Sequence, residues 1–252
     1  MSYPVAACRG RVVTPGAGAA WSPLDLASLA AWYDFSDATK LFTDAGTTPV
    51  ASDGDLIYQC NDKSGGNYHV VQATSGARPV YKTGIQNSLS IARFTTDTFL
   101  RKESTPSNVQ PNTVFVVTRP TQISVNAQVV QLNSSAHCLI YMQDSVWRIF
   151  AGADVPSATA PSTVNFAIVA ATFNGASSTL WVSGGAAAAT GNAGTNAMAG
   201  MTLGARYDGL MDFYEGDIAE VVVCSGAMSA ADMNLLGSYL ETKWSRTWDD
   251  VS

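Results

Sequence analysis

Three carboxylates fall close together near the carboxyl end, in Glu215-Gly-Asp217-Ile-Ala-Glu220. Two carboxyl groups held about 5 Å apart across a glycosidic bond can serve as nucleophile and general acid, so carboxylates this close together on one strand make a candidate hydrolytic centre. Strand alternation works against it, because Glu220 falls on the face opposite Asp217 unless a bulge intervenes. The competing reading makes the same letters a structural strand, with Gly216 at a turn and Glu220 beside the aliphatic run Val221–Val223. On that reading the chain has no catalytic residue and is not an enzyme.

Other residues offer other chemistry. Asp34, Asp37, Asp44, Asp53 and Asp55 crowd a loop-rich region that could supply oxygen ligands to calcium, yet they match no dedicated calcium loop and read as solvated loop acids. No metal and no cofactor is expected, calcium being the ion those acids would hold. His69 and His137 are the only histidines and neither sits in a nucleophile motif, so no Ser-His-Asp arrangement is expected. Trp147, Tyr141, Tyr207 and Tyr214 are candidate platforms for a sugar ring, which stacks on a flat apolar face while nearby Asn and Asp bond its hydroxyls. Tyr207-Asp208-Gly209, in a loop between strands, is the first suspect; Tyr207, Asp208 and Trp147 are the candidate glycan contacts.

The elements that would position these groups are mostly strands. Short apolar runs alternate with turn residues from Leu56–Gln59 through Val80–Tyr81, Ser90–Phe94, Val114–Thr118, Gln128–Leu132, Cys138–Met142, Val146–Ala151, Asn165–Phe173, Thr179–Val182 and Met201–Leu203 to Phe213–Cys224, the pattern of an antiparallel sandwich. Ser183-Gly184-Gly185 reads as a hairpin turn, since consecutive glycines supply positive φ. Residues 186–200, almost wholly Ala, Gly, Thr and Asn, read as a poor strand plus a loop. Helix signals are two. A short apolar segment over residues 25–31 could form a turn or two, and Ser229, three residues before Asp232, caps a helix whose stripe of Met233, Leu236, Leu240 and Trp244 should close one end of the sandwich.

Composition bounds the rest. The 252 residues suit one large all-β domain, with residues 1–24 as an amino-terminal arm and 25–252 as a single domain. Charged residues are only 13%, about half the roughly 25% usual for soluble proteins, so much of the surface is Ser, Thr, Asn, Gly and Ala, which suits burial in an assembly. The net charge of −6 argues against nucleic acid, whose binding rests on Lys and Arg. No apolar run is long enough to span a bilayer, and the start lacks a secretory signal pattern. Cys8, Cys60, Cys138 and Cys224 stand singly and read as free thiols, with Cys138 and Cys224 buried in strands.

Five blocks in order resemble laminin-G-like domains of the concanavalin A-like superfamily, of the kind found in tailed-bacteriophage virion proteins. They are Leu29–Ala38, Gln59–His69 with its Asp-Lys-Ser-Gly core, Ala77–Tyr81, Ile91–Phe94 and Gly216–Val223. The resemblance covers about residues 29–245 and implies a jelly roll of two antiparallel sheets with a short carboxy-terminal helix. It also implies a non-enzymatic virion structural protein, made in the host cytoplasm and either decorating the head or attached to tail or fibre. Its expected partners are other virion proteins, further copies of itself and a bacterial surface glycan, with no nucleic acid and no membrane. The alternative is a carbohydrate-binding module that recognises such a glycan; a glycoside hydrolase built on Glu215 and Glu220 stands behind both.

Overall fold

The computed structural model describes residues 21–105, 107–124, 126–133 and 135–252. The arm expected at 1–24 falls largely outside these residues, as does Cys8. The strands described are β1 (Leu29–Asp34), β2 (Leu41–Phe42), β3 (Gln59–Cys60), β4 (Val70–Val71), β5 (Val80–Gln86), β6 (Leu89–Phe94), β7 (Leu100–Lys102), β8 (Asn112–Pro120) and β9 (Ala127–Gln131). They continue with β10 (Leu139–Gln143), β11 (Val146–Phe150), β12 (Asp154–Pro156), β13 (Ala167–Phe173), β14 (Ser178–Val182), β15 (Ala189–Gly191), β16 (Met201–Leu203) and β17 (Gly216–Ser225). One helix, α1 (Ala230–Trp244), follows.

These strands form two antiparallel sheets packed as a β-sandwich jelly roll. The first runs β15-β14-β13-β8-β17-β6-β5, with β1 also paired to β17. The second runs β12-β11-β10-β9-β16-β7-β4-β3-β2. The inter-sheet core takes alternate residues from each layer, including Val114, Val116, Val169 and Ala171 from the first sheet and Leu100, Ile140, Met142, Trp147, Ile149 and Leu203 from the second.

The valine-rich β17 lies at the centre of the first sheet and is buried on both faces, which is why it reads as a continuous apolar run rather than an alternating one. Ile218, Val221 and Val223 point to the inter-sheet core, whereas Ala219, Val222 and Cys224 point to a second cluster formed with α1. The helix begins where Ser229 Oγ accepts the Asp232 N–H at 3.1 Å, as the capping pattern predicts. Its stripe of Met233, Leu236, Leu240 and Trp244 is buried against Trp32, Phe115, Val117 and Ile168. The helix therefore covers the outer face of the first sheet and does not close an end of the sandwich.

No α-helix forms over 25–31. A single 3-10 turn, Pro23–Asp25, is followed directly by β1, whose pairing with the edge of β17 claims Leu29 and Ala31. The hairpin at Ser183–Gly185 is present, all three residues having positive φ, and it joins β14 to the short β15. Cys60, Cys138 and Cys224 are free and buried. Burial pushes the Cys138 thiol up to about 12 and the Cys224 thiol up to about 11, so neither is a ready nucleophile at neutral pH.

Candidate functional site

The carboxylate run on β17 is where a bulge was needed, and a bulge is there. Pairing with β8 slips between Ile218 and Glu220, so Ala219 and Glu220 both face α1 and Asp217 comes onto the same side as Glu220. The side they share is closed. Asp217 is 0% exposed and is clamped between Arg93 and Arg119, accepting from Arg93 Nε at 2.7 Å. Glu220 is 1% exposed and accepts from the indole N–H groups of Trp32 and Trp244, each at 2.7 Å, and from Tyr239 at 3.0 Å.

Lys243 ties that site to β1, lying 2.9 Å from Glu220 and 2.8 Å from Asp34, which Lys63 also holds at 2.8 Å. Burial and then the nearby Asp34 push the Glu220 carboxyl above its ordinary range. Burial pushes Asp34 the same way, but Lys243 and Lys63 outweigh it and hold that carboxyl below the usual range. Glu215 stays apart, accepting from Thr96. Glu220 and Asp34, joined by Lys243, thus fasten α1 and β1 to β17, Asp217 ties β17 to β6 and β8, and no sugar could reach between them.

The loop aspartates weighed as calcium ligands also have local occupations. Asp37 pairs with Lys63 and caps a 3-10 turn, Asp44 accepts the N–H groups of Thr47 and Thr48, Asp53 pairs with Lys82, and Asp55 accepts from Ala51 and Ser52. Among the described residues no group of three or more His, Cys, Asp or Glu side chains converges as metal ligands would. In the Asp-Lys-Ser-Gly block Asp62 accepts the Trp32 backbone N–H and so ties the loop to β1, while its own N–H donates to His69 Nδ1, which braces the loop from within.

The outer face of the second sheet is different. Strand register places Val71, Arg101, Thr202, Gln131, Leu139 and Phe150 side by side across it, and paired residues share a face. Over this row folds the segment Gly204–Asp212. It is fixed by Arg101 Nη1, which donates to the Tyr207 carbonyl at 2.9 Å, and by the Gln128 N–H, which donates to the Asp212 carbonyl at 2.9 Å. Gly204 and Gly209 have positive φ, and a Cβ on either would lie 2.3 Å from the Phe94 ring or 2.4 Å from the Phe99 ring, so only glycine lets the loop come down.

Tyr207, half-buried at the middle of this loop, meets His137 edge-on at 5.7 Å, and His137 in turn meets Phe150 at 5.9 Å. Clefts open on both sides. The smaller, about 180 Å³, is lined by Asn126, Gln128, His137, Tyr141, Phe150 and Asp212, with Leu139 beneath. The wider, about 410 Å³, is lined by Arg101, Glu103, Ser104, Thr202, Tyr207 and Asp208. Asp208 is held below the usual carboxylate range chiefly by Arg206, which it accepts from at 3.0 Å, and it also accepts the Leu210 N–H at 3.1 Å.

Tyr207 and Asp208, the first suspects of the sequence, therefore line a cleft. Trp147 does not: it is 1% exposed, paired with Met142 in the inter-sheet core, because it sits one residue out of phase with the outward Arg148 and Phe150. Tyr214 is likewise buried, its hydroxyl 2.6 Å from Thr118. Tyr141 is on the outer face, with its hydroxyl donating to Asp154 at 2.6 Å. The sequence reading missed Gln128, Phe150, Arg101 and Asp212, and weighed His137 only as a triad histidine. Period-2 alternation in β10 and β11 would have pointed Tyr141 and Phe150 outward, but the loop that brings Asp212 to them joins strands far apart in sequence.

A further cleft of about 400 Å³ opens beside β1 between Leu29, Tyr33, Tyr68, Asn108 and Met198. None of its lining side chains is among the buried polar atoms left without a partner, so it offers less to a polar ligand.

No protein-family profile matches the chain and no curated protein does. Solved structures do. An arabinofuranosidase complexed with arabinofuranosyl-α-1,2-xylobiose is similar at TM-score 0.57 and 17% identity over 75% of this chain and 51% of its own. A GH54 α-L-arabinofuranosidase soaked with 4-nitrophenyl α-L-arabinofuranoside is similar at TM-score 0.56 and 15% identity over the same shares, 75% and 51%. The Trypanosoma rangeli sialidase in complex with sialic acid is similar at TM-score 0.52 and 12% identity over 92% of this chain and 35% of its own. The chain thus spans about half the length of the arabinofuranosidases and about a third of the sialidase.

At these identities the likeness establishes the β-sandwich fold, as it occurs within carbohydrate-active enzymes. It carries neither the laminin-G-like family nor a bacteriophage link. It also corrects the expectation that the chain is not an enzyme: the solved structures sharing its fold are glycoside hydrolases, so the fold gives no ground for that exclusion.

Proposed function

We propose that this chain binds carbohydrate on the outer face of its nine-stranded sheet. The observation that carries the reading is the set of half-buried rings, Tyr207, His137, Phe150 and Tyr141, standing beside two clefts that also present carboxamide, hydroxyl and carboxylate groups. A sugar presents an apolar ring face with hydroxyls around its edge, and rings next to convergent polar groups suit both. The ligands named with the fold's neighbours, an arabinofuranosyl xylobiose and sialic acid, support the same class. The virion role draws on the low-charge surface and on an amino-terminal arm that lies largely outside the described residues, and no structural observation favours it over glycan binding.

The test is a glycan microarray probed with the full chain and with Tyr207→Ala. Binding by the parent that the variant loses supports the reading. A parent that binds no glycan, or a variant that binds as well as the parent, overturns it.

A further inference from the structure

The smaller cleft holds an unusual set of atoms. Gln128 is 6% exposed, and its amide nitrogen donates to Asp212 Oδ2 at 3.0 Å while its Oε1 has no partner. His137 Nδ1 is also buried without a partner. A buried acceptor left unpaired costs about 1–3 kcal/mol, so two in one cleft are a standing invitation to a ligand that brings donors. Their positions are built: Gln131 Nε2 donates to the Asn133 and Ala136 carbonyls at 2.9 Å each, and Asn196 Nδ2 donates to the His137 carbonyl at 2.8 Å, which fixes the turn presenting His137.

Charge narrows the ligand. The cleft is lined by one carboxylate, Asp212, and by no Lys or Arg. Its other walls are the Tyr141 and Phe150 rings over Leu139. Tyr141 is immobilised through its hydrogen bond to Asp154, which Arg148 also holds, so that wall belongs to a fixed network. A carboxylated sugar placed there would meet Asp212 on the wall, while the cations nearby, Arg206 and Arg148, are already paired with Asp208 and with Asp144 and Asp154.

We propose that this cleft is a subsite for a single neutral sugar residue, whose hydroxyls donate to Gln128 Oε1 and His137 Nδ1 while its apolar face rests on Tyr141 or Phe150. Tyr207 separates this subsite from the wider cleft, which takes the next residue of the oligosaccharide. The proposal rests on carbohydrate binding at this face and adds the class of sugar and the atoms that select it.

The experiment is isothermal titration of the full chain with two neutral oligosaccharide series, galacto-oligosaccharides and arabino-oligosaccharides, and with oligogalacturonate as the acidic counterpart. Parent, Gln128→Met and Asp212→Asn are compared, each first shown to have the parent's near-ultraviolet circular dichroism. The expected result is binding of a neutral series that Gln128→Met weakens about tenfold or more, oligogalacturonate bound at least tenfold more weakly, and a narrowed gap between them in Asp212→Asn. Should Gln128→Met not fold, the change of preference in Asp212→Asn decides alone. Oligogalacturonate bound as tightly as the neutral series, neutral binding untouched in folded Gln128→Met, or a preference unchanged in Asp212→Asn, overturns the subsite and leaves carbohydrate binding standing. A parent that binds none of the three series overturns the subsite; a negative microarray in addition overturns the wider reading.

Discussion

The two outer faces of this sandwich treat polar groups in opposite ways. Under α1, the carboxylates of Asp34, Asp217 and Glu220 are buried and each is met by a cation, so the face is closed electrostatically as well as sterically. Across the second sheet, Gln72 Nε2, Gln128 Oε1, Gln131 Oε1 and His137 Nδ1 are buried without partners, beside half-buried rings. The first face has an exception in Arg119 Nε, and Asn112 Oδ1 and Trp147 Nε1 are unpaired between the sheets, but none of these clefts is lined by them. Charge in a sandwich of this kind does not by itself mark a site: the most charged cluster here is a fastening, and the uncharged, incompletely bonded face is the one left open to a ligand.

The largest effect that would break this contrast comes from the fastening. Lys243→Met removes the cation shared by Asp34 and Glu220, and stranding buried carboxylates should cost about 3 kcal/mol in urea unfolding. The loss should depend on pH. Asp34 titrates below its unfolded value, so its share of stability is present above about pH 4 and fades as pH falls through the folded value. The deficit of the variant should therefore shrink in acid, while carbohydrate binding at neutral pH stays unchanged. A variant as stable as the parent would mean that the ion cluster is incidental to the fold.

Next is the loop itself. Gly204→Ala drives a Cβ into the Phe94 ring at a backbone angle that alanine resists, and should cost about 2 kcal/mol of stability along with binding, because Tyr207 moves with the loop. Tyr207→Ala separates those two consequences. It should weaken carbohydrate binding about tenfold, or roughly 1.4 kcal/mol, and change unfolding free energy by less than about 1 kcal/mol. Comparable losses of stability in both variants would make Tyr207 a packing residue.

Much of this layout is written in local pattern. The strands from β8 to β11, the hairpin at Ser183–Gly185 and the Ser229 cap follow from alternation, positive-φ residues and capping chemistry, each of which acts over a few residues. The site did not follow, because it is assembled by register. Arg101, Thr202, Gln131 and Phe150 come into one row only when β7, β16, β9, β10 and β11 pair, and nothing in their local sequence announces it. Trp147 illustrates the cost of reading type without phase: an aromatic in a strand is a platform or a core residue according to one step of alternation. The bulge at Ala219–Glu220 was equally invisible, yet it decides which face Glu220 joins.

The smallest expected effect is the sharpest guide to where affinity resides. Asp208 lies at the rim of the wider cleft, paired with Arg206 in a largely solvated setting, so Asp208→Asn should alter stability by under about 0.5 kcal/mol. If the smaller cleft, with its two unpaired acceptors and its fixed rings, supplies most of the selectivity, removing this rim charge should change affinity for a neutral oligosaccharide by less than about threefold. Titration of parent and variant with the same oligosaccharide measures it. A tenfold loss would move the energetic centre across Tyr207 to the wider cleft, where Arg206 and Arg101 would then be the groups that choose the ligand.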